Sequence, residues 1–335
     1  MLPPPSSILI VQTGFLGDAV LATGMIRALD ALLPDARVGF LVRAGVADLF
    51  EGHTGIDRLH RLDKKAKGGS SAMAAELRAV GYGAAVIPHR SLRSALICRG
   101  ARIPLRIGFR QSEAPLLLTR RVEYSIAHHE LDRNSMLLEA LGLVVPAALR
   151  AGGLEPHADH LRSMRSRHDR GRPIVVIAPG SVWATKRWTP EGFAGVARRM
   201  SDGGAGVLLV GSPDERALCS AIASEAGLPP ESNLAGELSL PELAALVSIS
   251  HRLFTNDSAP LHIAEALGVP VTAIFGPTVP EFGFGPRLDG SIAFGIEGLA
   301  CRPCRVHGSP ACPIGTHECM KRIGAEEVGR VKFEG

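Results

Sequence analysis

The chain has 335 residues, of which 46% are hydrophobic, 21% charged and only 4% aromatic; that is enough chain for two ordinary globular cores and excludes a fibre, a disordered tail or a disulfide-dense miniature. No apolar run approaches the roughly 18 residues of a membrane helix, and the start, Met1 with Pro3, Pro4 and Pro5, lacks the basic-then-apolar order of a signal peptide, so the sequence reads as soluble and cytoplasmic. The formal charge of +4 is unevenly spread, with 23 Lys/Arg against 16 Asp/Glu in residues 1–170 and 14 against 17 in residues 171–335; the scattered basic charges, with few aromatics between them, fit an anionic small or membrane-borne substrate or a solvated surface better than nucleic acid.

Apolar runs of strand length alternate with helix-length amphipathic segments, the pattern of an α/β protein with mostly parallel sheets. Residues 8–11 read as a buried strand and 19–33 as a helix closed by Pro34. Strands follow at 38–42 and 84–87, a helix at 92–99, a short strand at 106–109 and a helix at 134–141 ending at Gly142. Between Val145 and Arg172 the periodicity fails; Pro146, Gly152, Gly153, Pro156 and a polar run from Arg162 predict an interdomain linker. Alternation resumes with strands at 174–177, 206–210, 252–255 and 271–275. Between them lie a helix opened by Thr189 and Pro190, one over 215–226, one behind the capping-box spacing Ser239 to Glu242, and one over 259–267. The expected architecture is two Rossmann-like domains, residues 1–155 and 172–335, with the ligand site at the carboxyl ends of the strands, in the cleft between the halves.

Four strand-to-helix junctions carry polar groups suited to chemistry. After the first strand, Gln12-Thr13-Gly14-Phe15-Leu16-Gly17-Asp18 runs straight into a helix; its glycines admit a ligand to the backbone, and the amides of a helix start attract anions. The Gly-x-x-Gly spacing is poor for a dinucleotide, and the second strand ends at Arg43 where a nicotinamide site wants a carboxylate. Asp18 is read as a catalytic carboxylate, with a plain helix cap as the alternative. Residues 179–188 contain Gly180, Ser181, Thr185, Lys186 and Arg187, small and hydroxylic groups beside cations that suit a diphosphate or make a solvated loop. Glu215, just past another strand, suits ribose hydroxyls or serves as a helix-start acid. Asn256-Asp257-Ser258, followed by His262, forms the fourth junction.

With Phe275-Gly276-Pro277-Thr278, these segments in this order resemble glycosyltransferase family nine, the ADP-heptose:lipopolysaccharide heptosyltransferases. The resemblance runs through nearly the whole chain and departs at Ala259, where the family has glycine. It implies a GT-B fold, two Rossmann-like domains facing across a cleft, with the acceptor in residues 1–155 and the nucleotide-sugar in residues 172–335. It also implies inverting transfer of heptose from an ADP-sugar to a lipopolysaccharide core or related surface-glycan acceptor, without a catalytic metal or any cofactor beyond the donor. Asp18 then matches the general base, on a turn with Thr13, Gly14 and Gly17. Lys186 matches a catalytic cation at the donor phosphates, Glu215 an acid at the ribose, and Asp257 and His262 residues near the donor sugar and diphosphate. Ser181, Thr185 and Ser258 complete the donor set. The basic first domain would meet an anionic, lipid-linked glycan at the cytoplasmic face of the inner membrane, with peripheral membrane contact and no nucleic acid. The competing readings are a non-catalytic nucleotide-sugar-binding protein, in which Asp18 only caps, and an NADP-dependent oxidoreductase using the first turn and Arg43.

Cys98 and Cys219 sit in apolar segments, as buried, inert thiols do. Cys301, Cys304, Cys312 and Cys319 crowd into 19 residues. The first pair has zinc-knuckle spacing and the second is looser, so structural zinc, a packed reduced loop and a disulfide all remain open.

Overall fold

Two parallel sheets organise residues 5–331, the part of the chain that the computed structural model describes. They belong to two units, Met1–Glu155 and Pro156–Gly335. Unit 1 contains β1 (Ser7–Gln12), α1 (Leu16–Leu32), β2 (Arg37–Arg43), β3 (Arg58–Leu62), α2 (Gly69–Val80), β4 (Ala84–Ile87), α3 (Leu92–Gly100), β5 (Leu105–Phe109), β6 (Arg120–Val122) and α4 (Glu130–Glu139). Every residue of β1 is buried, as a parallel strand covered on both faces requires. Leu9 and Val11 pack with Met73 and Leu77 of α2 and Ile97 and Cys98 of α3. The strand order is β3-β2-β1-β4-β5-β6. The chain therefore steps outward from β1 and returns to start again at β4, which puts a topological switch between those two strands.

Unit 2 contains α5 (Ala158–His168), β7 (Ile174–Ala178), α6 (Pro190–Asp202), β8 (Gly206–Leu209), α7 (Arg216–Ala226), α8 (Leu240–Ser248), β9 (Arg252–Asn256), α9 (Ala259–Ala266), β10 (Val271–Ile274), β11 (Ile292–Phe294), α10 (Glu318–Lys321) and α11 (Ala325–Val328). In β7, Ile174, Val176 and Ala178 join a core with Met164 of α5 and Leu246 of α8. Val175 and Ile177 alternate into a second core with Phe193, Ile222 and Met320. The order β11-β10-β9-β7-β8 places the switch between β7 and β9.

Three departures from expectation have local causes. Part of the expected linker is helix α5, whose one buried residue, Met164, leaves no apolar stripe to read. Residues 44–83, for which no element was expected, hold a 3-10 turn, β3 and α2; β3 is short with two exposed arginines, and α2 buries only Met73, Ala74 and Leu77. Helix α4 begins four residues early because His129 caps it, accepting the Leu131 amide.

Candidate active site

At the β1–β4 switch of unit 1, Asp18 is a half-buried residue in the first turn of α1, and its Oδ2 accepts the Phe15 amide at 3.2 Å. Gly14 makes room for that carboxylate: a Cβ there would stand 2.8 Å from Gln12 Oε1 and 2.9 Å from Asp18 Oδ2. Thr13 is fully buried, with Oγ1 3.1 Å from both His89 Nδ1 and Ser94 Oγ, so its hydroxyl ties β1 to the chain after β4. Gly17 is buried within α1. Burial, with Lys64 and other cations nearby, pushes His89 down to about 4, so its ring is neutral near pH 7.

Cations surround this turn. The Arg43 guanidinium lies 6.0 Å from the Phe15 ring centre. Lys64 is held below its usual range by burial and then by Arg43 and Arg93. Arg90 and Arg133 lie 4.5 and 4.7 Å from the Tyr124 ring. Arg133 is wholly buried and donates to Glu130 at 2.7 Å and to His128 O at 2.6 Å. Burial raises the Glu130 carboxyl above its usual range; Arg133 opposes the shift and Asp18 adds to it. A cavity of about 550 Å³ is lined by Lys64, Arg93, Leu92 and Leu96 among others, and by Glu113, whose carboxylate is occupied by the Leu92 amide at 2.7 Å. Cations gathered in this way favour an anion, and the two leucines add an apolar edge.

At the β7–β9 switch of unit 2, Asn256 accepts the Trp188 amide at 2.9 Å and donates to Pro179 O at 2.8 Å, fastening the loop of residues 179–188 at both ends. Lys186 Nζ donates to Asp257 Oδ2 at 2.5 Å, and the Thr278 hydroxyl donates to the same oxygen at 2.6 Å. The Lys186 and Asp257 side chains are only 13% and 8% exposed, so the charges offset each other in a largely dry setting. Ser181 is buried, and its carbonyl accepts Arg187 Nε at 2.8 Å. Glu215 Oε2 accepts the Ser212 amide at 2.8 Å in a capping box, yet the same carboxylate lies so close to Gly180 that a Cβ there would overlap it. The helix-start acid thus also stands against the β7 loop. Ser258 Oγ is 3.2 Å from Thr255 Oγ1, and buried His262 meets the Phe284 ring edge-on at 6.2 Å.

Lys186, Asp257, Glu215 and Ser181 thus gather at one sheet edge. Thr185 does not present its hydroxyl there: the side chain is buried and its Oγ1 bonds both the carbonyl and the amide of Ser309. Thr278 and Asn256 were not singled out individually, although both lie at strand-end turns like those that were. Arg133 and Glu130 are spaced as an ordinary surface pair, and nothing local marks their burial.

All six cysteines are free thiols. Burial pushes Cys98 and Cys219 up to about 12. Cys304 Sγ donates to Cys301 O at 2.9 Å, and burial raises Cys304 and Cys319, with the neighbouring thiols adding to the shift. Among the described residues no group of three or more His, Cys, Asp or Glu is arranged to hold a metal. The structural-zinc reading of Cys301, Cys304, Cys312 and Cys319 finds no such ligand set here, although these thiols neighbour one another.

A family model for glycosyltransferase family 9 (heptosyltransferase) matches residues 71–314, a span that takes in the unit 2 loops and leaves the Asp18 turn outside. Lipopolysaccharide heptosyltransferase 2 of Escherichia coli strain K12 is 25% identical over 307 residues, 82% of this chain and 84% of that one. Among solved structures, E. coli ADP-heptose lipopolysaccharide heptosyltransferase II matches with a TM-score of 0.80 at 24% identity, over 96% of each chain. E. coli heptosyltransferase WaaC with ADP matches with a TM-score of 0.74 at 17% identity, over 96% of this chain and 97% of that one. The solved structures share the fold.

Proposed function

Because the chain belongs to glycosyltransferase family 9, the heptosyltransferases, we propose that it transfers heptose from ADP-heptose to an anionic, lipid-linked acceptor of the lipopolysaccharide core, with inversion at the transferred carbon. The observation that carries this reading is the buried cluster of Lys186, Asp257 and Thr278 at the unit 2 switch, in a chain whose fold is shared with a heptosyltransferase solved with ADP. The donor lies on unit 2, with Glu215 at the ribose and Ser181, Ser258 and His262 lining the diphosphate and sugar. A diphosphate competes with Asp257 for Lys186, and Thr278 keeps Asp257 hydrogen-bonded when the lysine turns away. Negative charge grows on the departing phosphate as the glycosidic bond breaks, and Lys186 stabilises it.

The acceptor lies on unit 1, its anionic groups drawn by Arg43, Lys64 and Arg93. The Asp18 carboxylate takes the proton from the attacking hydroxyl as that oxygen bonds to the anomeric carbon opposite the leaving ADP. Its bond from the Phe15 amide orients it for this step, so capping and catalysis use one geometry. Among the described residues no helix is long and apolar enough to cross a membrane; the proposed contact with the cytoplasmic face of the inner membrane is peripheral. The test is ADP release from ADP-heptose with a heptose-deficient core acceptor, with the product's anomeric configuration read by NMR. ADP binding without transfer would instead identify a nucleotide-sugar-binding protein, and product of retained configuration would refute inversion.

A further inference from the structure

The cysteine-rich segment touches both loops that meet at Asp257. Carbonyls 275 to 278 follow β10 outside any helix or strand, and the segment donates a hydrogen bond to each of the four. Arg302 donates from Nε to Gly276 O at 2.8 Å and from Nη2 to Phe275 O and Thr278 O, each at 3.2 Å; the Cys304 amide donates to Pro277 O at 2.9 Å. Arg302 Nη1 also reaches Ile296 O at 3.1 Å. Gly295 leaves room for this guanidinium, because a Cβ there would overlap it. On the other loop, the Ser309 amide donates to Thr185 Oγ1 at 2.8 Å, the Thr185 amide and hydroxyl donate to Ser309 O at 3.2 and 3.0 Å, and His317 Nε2 lies 2.8 Å from Thr185 O. Gly308 packs so closely that a Cβ would overlap Trp183 and stand 3.0 Å from Lys186 Cγ.

We infer that residues 301–317 form a strap that positions the donor-binding cation: Arg302 holds the chain at Thr278, Ser309 holds the chain at Thr185, and together they set where Lys186 and Asp257 meet. Arg302 is a positioning residue, since among the described residues its guanidinium bonds main-chain carbonyls and acts through Thr278. A planar fork with five N–H donors can satisfy several carbonyls that an ammonium can satisfy only in part. The donor role of Lys186 rests on the function proposed above; its placement by the strap does not.

The test reads Lys186 directly, in full-length protein without ligand. Acylation by an N-hydroxysuccinimide ester is followed by mass spectrometry, with exposed Lys65 and Lys321 as internal references. Labelling of Lys186 should be slow in the wild type and rise about 10-fold in Arg302→Met and Gly308→Ala, with Arg302→Lys between. Unchanged Lys186 labelling in these variants, or an equal rise at Lys321, overturns the proposal; if Arg302→Met does not fold, the other two variants carry the same readout. Calorimetric titration with ADP on the same proteins separates the two readings. A wild type that fails to bind ADP removes the donor assignment while the labelling still judges the strap, and an affinity about 10-fold lower in Arg302→Met is expected if both hold.

Discussion

At the β1–β4 switch of unit 1 a carboxylate follows the glycine turn and the nearby Lys64 and Arg93 are exposed, whereas at the β7–β9 switch of unit 2 the cation follows the turn and is buried against a carboxylate. The net charges of the two halves suggest the reverse, since the acidic half holds the buried lysine. A neutral pair tolerates burial where a cluster of like charges does not. Lys64 and Arg93 are exposed, while Lys186 meets Asp257 in a largely buried pair; on the proposed function the first two draw an anion and Lys186 exchanges Asp257 for a diphosphate. On the proposed function, unit 1 recruits an anion at long range and unit 2 responds to a ligand that reaches Asp257.

The largest effect expected from this contrast is in unit 1. Asp18→Asn keeps the shape and the cap and removes the proton acceptor, so steady-state transfer should fall by roughly 10²–10⁴-fold while calorimetric ADP affinity stays unchanged. Near-normal turnover would reduce Asp18 to a cap and transfer the base role elsewhere.

Lys186→Ala is next. It removes the charge facing the diphosphate and leaves Asp257 held by Thr278 without its cation, so ADP affinity and turnover should each drop by about 10–100-fold, with folding stability lowered. Asp257→Asn sharpens the point: if the two anions compete for Lys186, ADP should bind this variant no more weakly than the wild type, and a marked loss would contradict exchange.

The two turn glycines test whether the switches do different work. Gly180→Ala should push Glu215 aside and raise the donor KM by about 10-fold with little change in kcat, whereas Gly14→Ala should displace Asp18 and lower kcat by a similar factor. The same kinetic signature from both substitutions would mean that the turns share one role.

The contrast also predicts a pH response of unit 1, read in stability and not in turnover. His89 titrates near 4 in the folded protein and near 6.5 unfolded, so between those values the unfolded chain binds the extra proton. Stability is complete above pH 6.5, falls by at most about 1.4 kcal/mol per pH unit as pH drops, and levels off below about 4. Urea denaturation from pH 4 to 7 should show a shallower slope for His89→Gln than for the wild type. Equal slopes would assign the acid sensitivity to other groups.

The strands that flank both switches were legible where a parallel strand covered on both faces is a short apolar run, as in β1, β4 and β7, while β9 is buried along its length but carries Arg252, Thr255 and Asn256. Helix starts were legible where side chains cap them, as Thr189 does for α6 and Ser239 with Glu242 does for α8. Helix α5 was not, because one buried methionine sets no period. The junction loops announced themselves by placing Asp18, Lys186, Glu215 and Asp257 directly after apolar runs.

What sequence alone determined, then, was the alternation of buried strands with capped helices and the polar character of the junction loops, since periodicity, caps and turn residues act over a few positions. Which loops meet was decided only by tertiary structure. Lys186 and Asp257 are 71 residues apart, and Thr185 and Ser309 are separated by 124. Parallel neighbours are joined through helical crossovers, so the adjacency of β1 to β4 and of β7 to β9 comes from covering both faces of each sheet at once. That choice set the Asp18 carboxylate after the turn of one unit and buried a lysine against an aspartate in the other.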